Sequence, residues 1–150
     1  MASTSGISNS FKAEAMSGIH ALGVTVVRGA TTVDTIKAAL YLSSGTTGPT
    51  NTVYTVTGEA SGTGYTPGGI TVTNANAPAV SGSTGIWTPS ASLVYTTVSV
   101  GPVDGVMLYN STQSNKAIEV CTFTAQTPVA STLTLTMPAG GAGTSLINIA

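Results

Sequence analysis

The 150-residue chain reads as an all-β protein, an antiparallel β-sandwich with one short N-terminal helix. Three observations point there. From residue 24 onward, short runs rich in Val, Ile, Thr and Tyr are divided by clusters of Gly, Pro, Asn and Ser, the texture of a sandwich rather than of alternating strands and helices. Ser and Thr make up roughly 30% of the chain, and the branched Cβ of threonine suits a pleated surface. Only 6% of residues are charged while 41% are hydrophobic. A typical domain carries about 25% charge, so the polar faces of these sheets must be neutral.

Residues 1–7 carry no periodic pattern and are expected to form a flexible arm, leaving 8–150 as a single β-sandwich domain. A chain of this size buries roughly 68 to 70% of its unfolded surface, so one core suffices. The spacing of Phe11, Ala15, Ile19 and Leu22 predicts a helix over residues 8–22, capped by Ser8, Asn9 or Ser10 and closed by Gly23. Gly18 lies inside it and costs about 1 kcal/mol against Ala, so this helix needs packing support.

Strands are expected near 23–28, 34–43, 51–57, 69–74, 92–100, 105–109, 116–125 and 131–136, with 145–149 as a terminal strand. The run Thr132-Leu133-Thr134-Leu135-Thr136-Met137 alternates strictly, with leucines and methionine on one face and threonines on the other. In 34–43, Ile36, Ala38, Leu40 and Leu42 share a face, yet Ala39 and Tyr41 are apolar too. That strand is expected to be covered on both sides, with the helix as the candidate cover. Gly-rich stretches at 43–49, 61–69, 81–85 and 139–143 read as turns or loops.

The composition also excludes functions. The four basic residues, Lys12, Arg28, Lys37 and Lys116, are scattered and supply no cationic groove, so nucleic acid is not an expected partner. No run approaches 18 apolar residues, so no membrane helix is expected. The first residues lack a basic region followed by an apolar stretch, which points to synthesis in the cytoplasm. A net charge of -1 gives little colloidal repulsion and favours association.

Chemistry is poorly supplied. His20 falls in the predicted helix and no G-x-S-x-G sequence accompanies it, which argues against a hydrolytic triad. One His and one Cys, Cys121, do not make a zinc site, and Cys121 reads as a small buried hydrophobe. No lysine follows the glycines at 62–64 or 68–69, so they are turn glycines rather than a phosphate cradle, and no cofactor is expected. The carboxylates Glu14, Asp34, Glu59, Asp104 and Glu119 show no motif spacing. The chain therefore reads as a non-enzyme, with Glu59 the first carboxylate to substitute if turnover were measured.

Trp87 with Tyr54, Tyr65, Tyr95 and Tyr109 raises a competing reading, a carbohydrate-binding module, which requires Trp87 or Tyr65 exposed beside a polar groove. Core or interface positions are the plainer reading of each ring.

Several segments carry a resemblance. Asn9-Ser10-Phe11-Lys12, Gly18-Ile19-His20 and Asp34-Thr35-Ile36-Lys37-Ala38-Ala39-Leu40-Tyr41 together resemble a family of small virion proteins encoded beside tailed-bacteriophage capsid genes. Residues 57–69 are similar to that family's E-x-S-G-x-G-Y-x-x-G-G block, and Tyr109-Asn110-Ser111 and Asn115-Lys116-Ala117 to its Y-N-S and N-K-A elements. The likeness implies a jelly-roll-like sandwich acting as a capsid cement or decoration protein. Such a protein sits on the virion, at the capsid exterior, and is made in the cytoplasm of the bacterial host. Its partners would be the major capsid protein and itself, as a homodimer or homotrimer. A tail or fibre component is the alternative station.

Within this reading Glu59, Gly62, Gly64, Tyr65, Gly68 and Gly69 are the candidate protein-contact loop. The glycines permit unusual backbone angles, and Tyr65 supplies an anchor for a partner. An internal turn is the alternative.

Overall fold

The computed structural model describes residues 2–8, 11, 15, 18–23, 32–82 and 84–149, which form an all-β antiparallel sandwich. The strands are β1 (Gly6–Ile7), β2 (Ile36–Leu42), β3 (Gly62–Thr63), β4 (Ile70–Thr71), β5 (Ala79–Ser81) and β6 (Thr84–Trp87), followed by β7 (Leu93–Val100), β8 (Val103–Asn110), β9 (Lys116–Gln126), β10 (Ser131–Leu135) and β11 (Ile147–Ile149). A five-stranded sheet has the order β1-β9-β8-β2-β4, and two three-stranded sheets run β10-β7-β3 and β11-β6-β5.

All eight residues of β8 are buried, because the strand is flanked by β2 and β9 and both its faces are covered. On one face Ile36, Ala38 and Leu40 of β2, Val106 and Leu108 of β8 and Ile118 of β9 form the main core. They meet Leu93, Tyr95, Val98 and Val100 of β7, Leu133 of β10, Trp87 of β6 and Ile147 of β11. Each fully buried Leu or Val contributes roughly 1.5 to 3 kcal/mol relative to exposure. Strand β2 reads IKAALYL because its second face is also inside: Ala39 and Tyr41 join Met107, Tyr109, Ala117 and Val120 in a second cluster.

The cover of that second face differs from expectation. Phe11 of the predicted helix belongs to the main core instead. Residues 43–59 and the first residues of the chain do the covering. Tyr54 stacks on Tyr109 with ring centroids 4.6 Å apart, Tyr41 OH donates to Thr55 O at 2.5 Å, and Thr4 N donates to Thr47 O at 2.8 Å. Ser3 lies against Gly105, where a Cβ would come within 2.8 Å of the serine Cβ.

Residues expected to form a flexible arm are thus seated on the sheet. Gly6 and Ile7 pair with Val120 and Glu119, and Ser8 N donates to Ile118 O at 2.9 Å. Hydrogen bonding runs without a break across the boundary expected after residue 7.

Of the predicted helix, residues 9, 10, 12–14, 16 and 17 lie outside the described residues, as does 24–28 of the first predicted strand. Phe11 and Ala15 are helical, but Ile19 to Leu22 are not. Gly18 takes φ 68, a left-handed conformation that ends a helical turn, so glycine closes this stretch at 18 rather than at 23.

Residues 51–57 do not form a strand but hold a single bridge, Val53 to Lys116; Val53 and Val56 are exposed, so no buried alternation supports a strand. Strands β5 and β6, placed partly in an expected loop at 81–85, flank Gly82 at φ 62.

Candidate functional site

The 59–69 loop begins one residue after a turn against β2. Leu42 N donates to Gly58 O at 2.9 Å and Ala60 N to Leu40 O at 2.8 Å. β4 pairs with β2 only at Lys37 and Ala38, so residues 58–60 take over where β4 stops. The chain then crosses to the second sheet, pairs as β3 with Ser99 and Val100 of β7, and returns to β2 as β4. This stretch therefore stitches the two sheets together along one side.

Glycine is required where the backbones touch. At Gly62 a Cβ would collide with Ser99 O, and at Gly69, with φ 69, it would collide with Ala38 O. Gly64, at φ 78, approaches Thr97 O in the same way.

Glu59 is buried and is held by donors on both carboxylate oxygens. Tyr65 OH and Gly68 N each donate to Oε1 at 2.7 Å, and Tyr54 OH donates to Oε2 at 2.6 Å. Tyr65 OH also accepts from Leu40 N at 3.0 Å, so one phenol satisfies both a buried carboxylate and a β2 amide. Tyr95 OH donates to Ala38 O at 2.9 Å and Tyr109 OH to Gly68 O at 2.8 Å. Burial, then the hydrogen bond to Glu59, raises the pKa of Tyr54 and Tyr65 well above the ordinary phenol range. These phenols stay protonated and act as donors.

The six candidate residues therefore separate. Gly62 and Gly64 are exposed, with Thr63, Thr66 and Pro67 beside them, whereas Glu59, Tyr65 and Gly68 are buried and Gly69 is half-buried. Tyr65, expected to anchor a partner, is 8% exposed and spends its hydroxyl inside the chain. A buried carboxylate needs donors, and Tyr65 is one of the three that reach it.

Trp87, Tyr41, Tyr95 and Tyr109 are buried as well, and Trp87 Nε1 donates to Asn76 O at 3.3 Å. The exposed Trp87 or Tyr65 that a sugar-stacking platform requires is not presented.

A second polar network joins chain segments at the other end of β2. Asp34 Oδ2 accepts from Asn110 Nδ2 at 2.7 Å and from Ala21 N at 3.0 Å, and Oδ1 accepts from Gln113 Nε2 at 3.1 Å. His20 Nδ1 lies 3.1 Å from the same Asn110 amide, and its ring packs 4.8 Å from that of Phe11. This is a fastening of segment to segment, with Asn110 wholly buried at its centre.

On β9, Glu119 and Cys121 share a hydrogen bond. Burial, partly offset by that bond, pushes the Glu119 carboxyl up to about 8; burial and then Glu119 push the Cys121 thiol above its ordinary range. Glu119 Oε2, Asp104 Oδ1 and Ser3 Oγ are buried without a hydrogen-bonding partner. Sequence reasoning missed the Glu59 clasp. Its available signal was an acid flanked by Tyr54 and Tyr65 at the head of a stretch, 60–103, that has no other ionic side chain.

No known family, curated protein or solved structure matches this chain.

Proposed function

We propose that this protein is a non-enzymatic structural module that binds copies of itself and a larger assembly, and that the assembly is a phage capsid whose neighbouring major subunits it cements from outside. The observation that carries the reading is where charge is missing. Residues 60–103 and 120–150 contain no Asp, Glu, Lys, Arg or His, and these segments supply every residue of the two three-stranded sheets.

What those sheets present is neutral: Thr63, Thr96, Thr132 and Thr134 are exposed, together with Val94 at 44%. Such a surface offers nothing to hold an ionic substrate, and near-zero charge favours association. The ionic groups are meanwhile used for construction, as with Glu59 and its donors. Repeating attachment on a lattice allows a modest interface per copy to give stable occupancy. The capsid as the assembly follows from the resemblance of residues 57–69 and 109–117 to small virion proteins.

A cryo-electron reconstruction of particles carrying the protein tests this. Density over the seams between major capsid subunits is the expected result. Density confined to the tail moves the protein to a tail or fibre station, and absence from the particle overturns the virion reading.

A further inference from the structure

Strand β10 is an outer strand: β7 lies on one side of it, and among the described residues no strand lies on the other. Proteins guard such edges with charge, proline, a bulge or a covering segment. β10 itself carries no charge and no proline, and among the described residues no segment pairs with its outer edge. Its residues are Ser-Thr-Leu-Thr-Leu, and Thr132 and Thr134 are exposed. The one irregularity in its pairing lies where β10 advances from Ser131 to Leu133 while β7 moves from Val98 to Tyr95. The extra residue is therefore on β7, where Thr97 takes φ 51, and β10 itself stays regular.

The edge is also complementary to itself. A two-fold axis at Leu133 places Leu133 opposite its mate, Thr132 opposite Thr134, and Ser131 opposite Leu135. Threonine then faces threonine on the outer side, a favourable cross-strand pair, and the leucines extend the inner face. No charged residue occurs from 120 to 150, so neither copy brings a repulsive charge across the axis. A foreign strand would need its own match to this pattern, whereas a second copy carries it by symmetry.

We propose that β10 is a homotypic docking edge: two copies pair β10 with β10, antiparallel about Leu133, and join their three-stranded sheets into one of six strands, β3-β7-β10-β10-β7-β3. This deepens the proposed function by naming the surface through which copies join, and it is tested apart from capsid attachment.

Sedimentation equilibrium of the full chain is the experiment. The wild type is expected to dimerise, and Thr134→Lys to weaken the dimer about tenfold or more; because Thr134 is exposed, the two melting temperatures should agree when both proteins are diluted to monomer. Register is read separately in a Cys121→Ser background. Mixing Thr132→Cys protein with Thr134→Cys protein is expected to give a disulfide-linked pair that neither gives alone. A chain that stays monomeric to about 100 μM, a trimer, or a dimer untouched by Thr134→Lys overturns the proposal. A monomer that still decorates capsid seams overturns the edge pairing and the self-association, and leaves only the capsid-cementing part of the proposed function standing.

Discussion

Replacing Tyr65 by Phe removes one oxygen and leaves the ring. That oxygen donates to Glu59 Oε1 at 2.7 Å and accepts from Leu40 N at 3.0 Å, and both partners are buried. Leu40 N–H is left without an acceptor in the interior, which costs about 1 to 3 kcal/mol. Glu59 keeps Gly68 N on the same oxygen and Tyr54 on the other, so its share of the loss is smaller, about 1 kcal/mol. Together these give about 2 to 4 kcal/mol, or a fall in melting temperature of roughly 6 to 12 °C near the middle of that range.

Tyr54→Phe is the comparison. Tyr54 OH makes one bond to Glu59, and the ring is only half-buried, so about 0.5 to 1.5 kcal/mol is expected. Urea unfolding with an unchanged slope measures both variants. If Tyr65→Phe costs no more than Tyr54→Phe, the phenol is not what satisfies the β2 amide, and the account of the clasp fails.

Glu119 makes stability depend on pH. Its carboxyl holds a proton up to about pH 8 in the folded chain but releases it near 4.5 when unfolded, so the folded state binds more protons between those values and its stability falls as pH rises through them. Urea midpoints at pH 5 and pH 8.5 should differ for the wild type by roughly 3 to 5 kcal/mol in unfolding free energy, and Glu119→Gln should remove most of that difference. Gly69→Ala is expected to cost at least about 2 kcal/mol, because the new methyl meets Ala38 O, whereas Gly82→Ala should cost only about 1. Both glycines have positive φ, but Gly82 has nothing within 4 Å; equal melting temperatures for the two variants would remove the close-approach argument.

Much of the sheet framework was readable from residues. Alternation over 131–136 gave β10 its inward Leu133 and outward threonines, and the doubly apolar run at 36–42 announced a strand covered on both faces. These are local properties, since side chains alternate with period two wherever the strand lies. The short strands were not readable: β1, β3 and β5 have two or three residues each, too few to show a period. The candidate loop was readable as a glycine-rich element, but not the direction in which its side chains point.

Fold class, the two-faced burial of β2 and a surface nearly free of charge are legible in residue order, because composition and periodicity are carried by neighbouring residues. Long-range packing settles that Tyr65 turns inward, that the first residues seat against β9, and that β10 is an outer strand among the described residues. Each depends on partners far along the chain. Leu40 and Tyr65 are 25 residues apart, Gly6 pairs with Val120, and an edge exists only by virtue of which strands do not come to lie beside it. A buried carboxylate selects whichever donors the fold delivers, and no spacing in the sequence encodes that delivery.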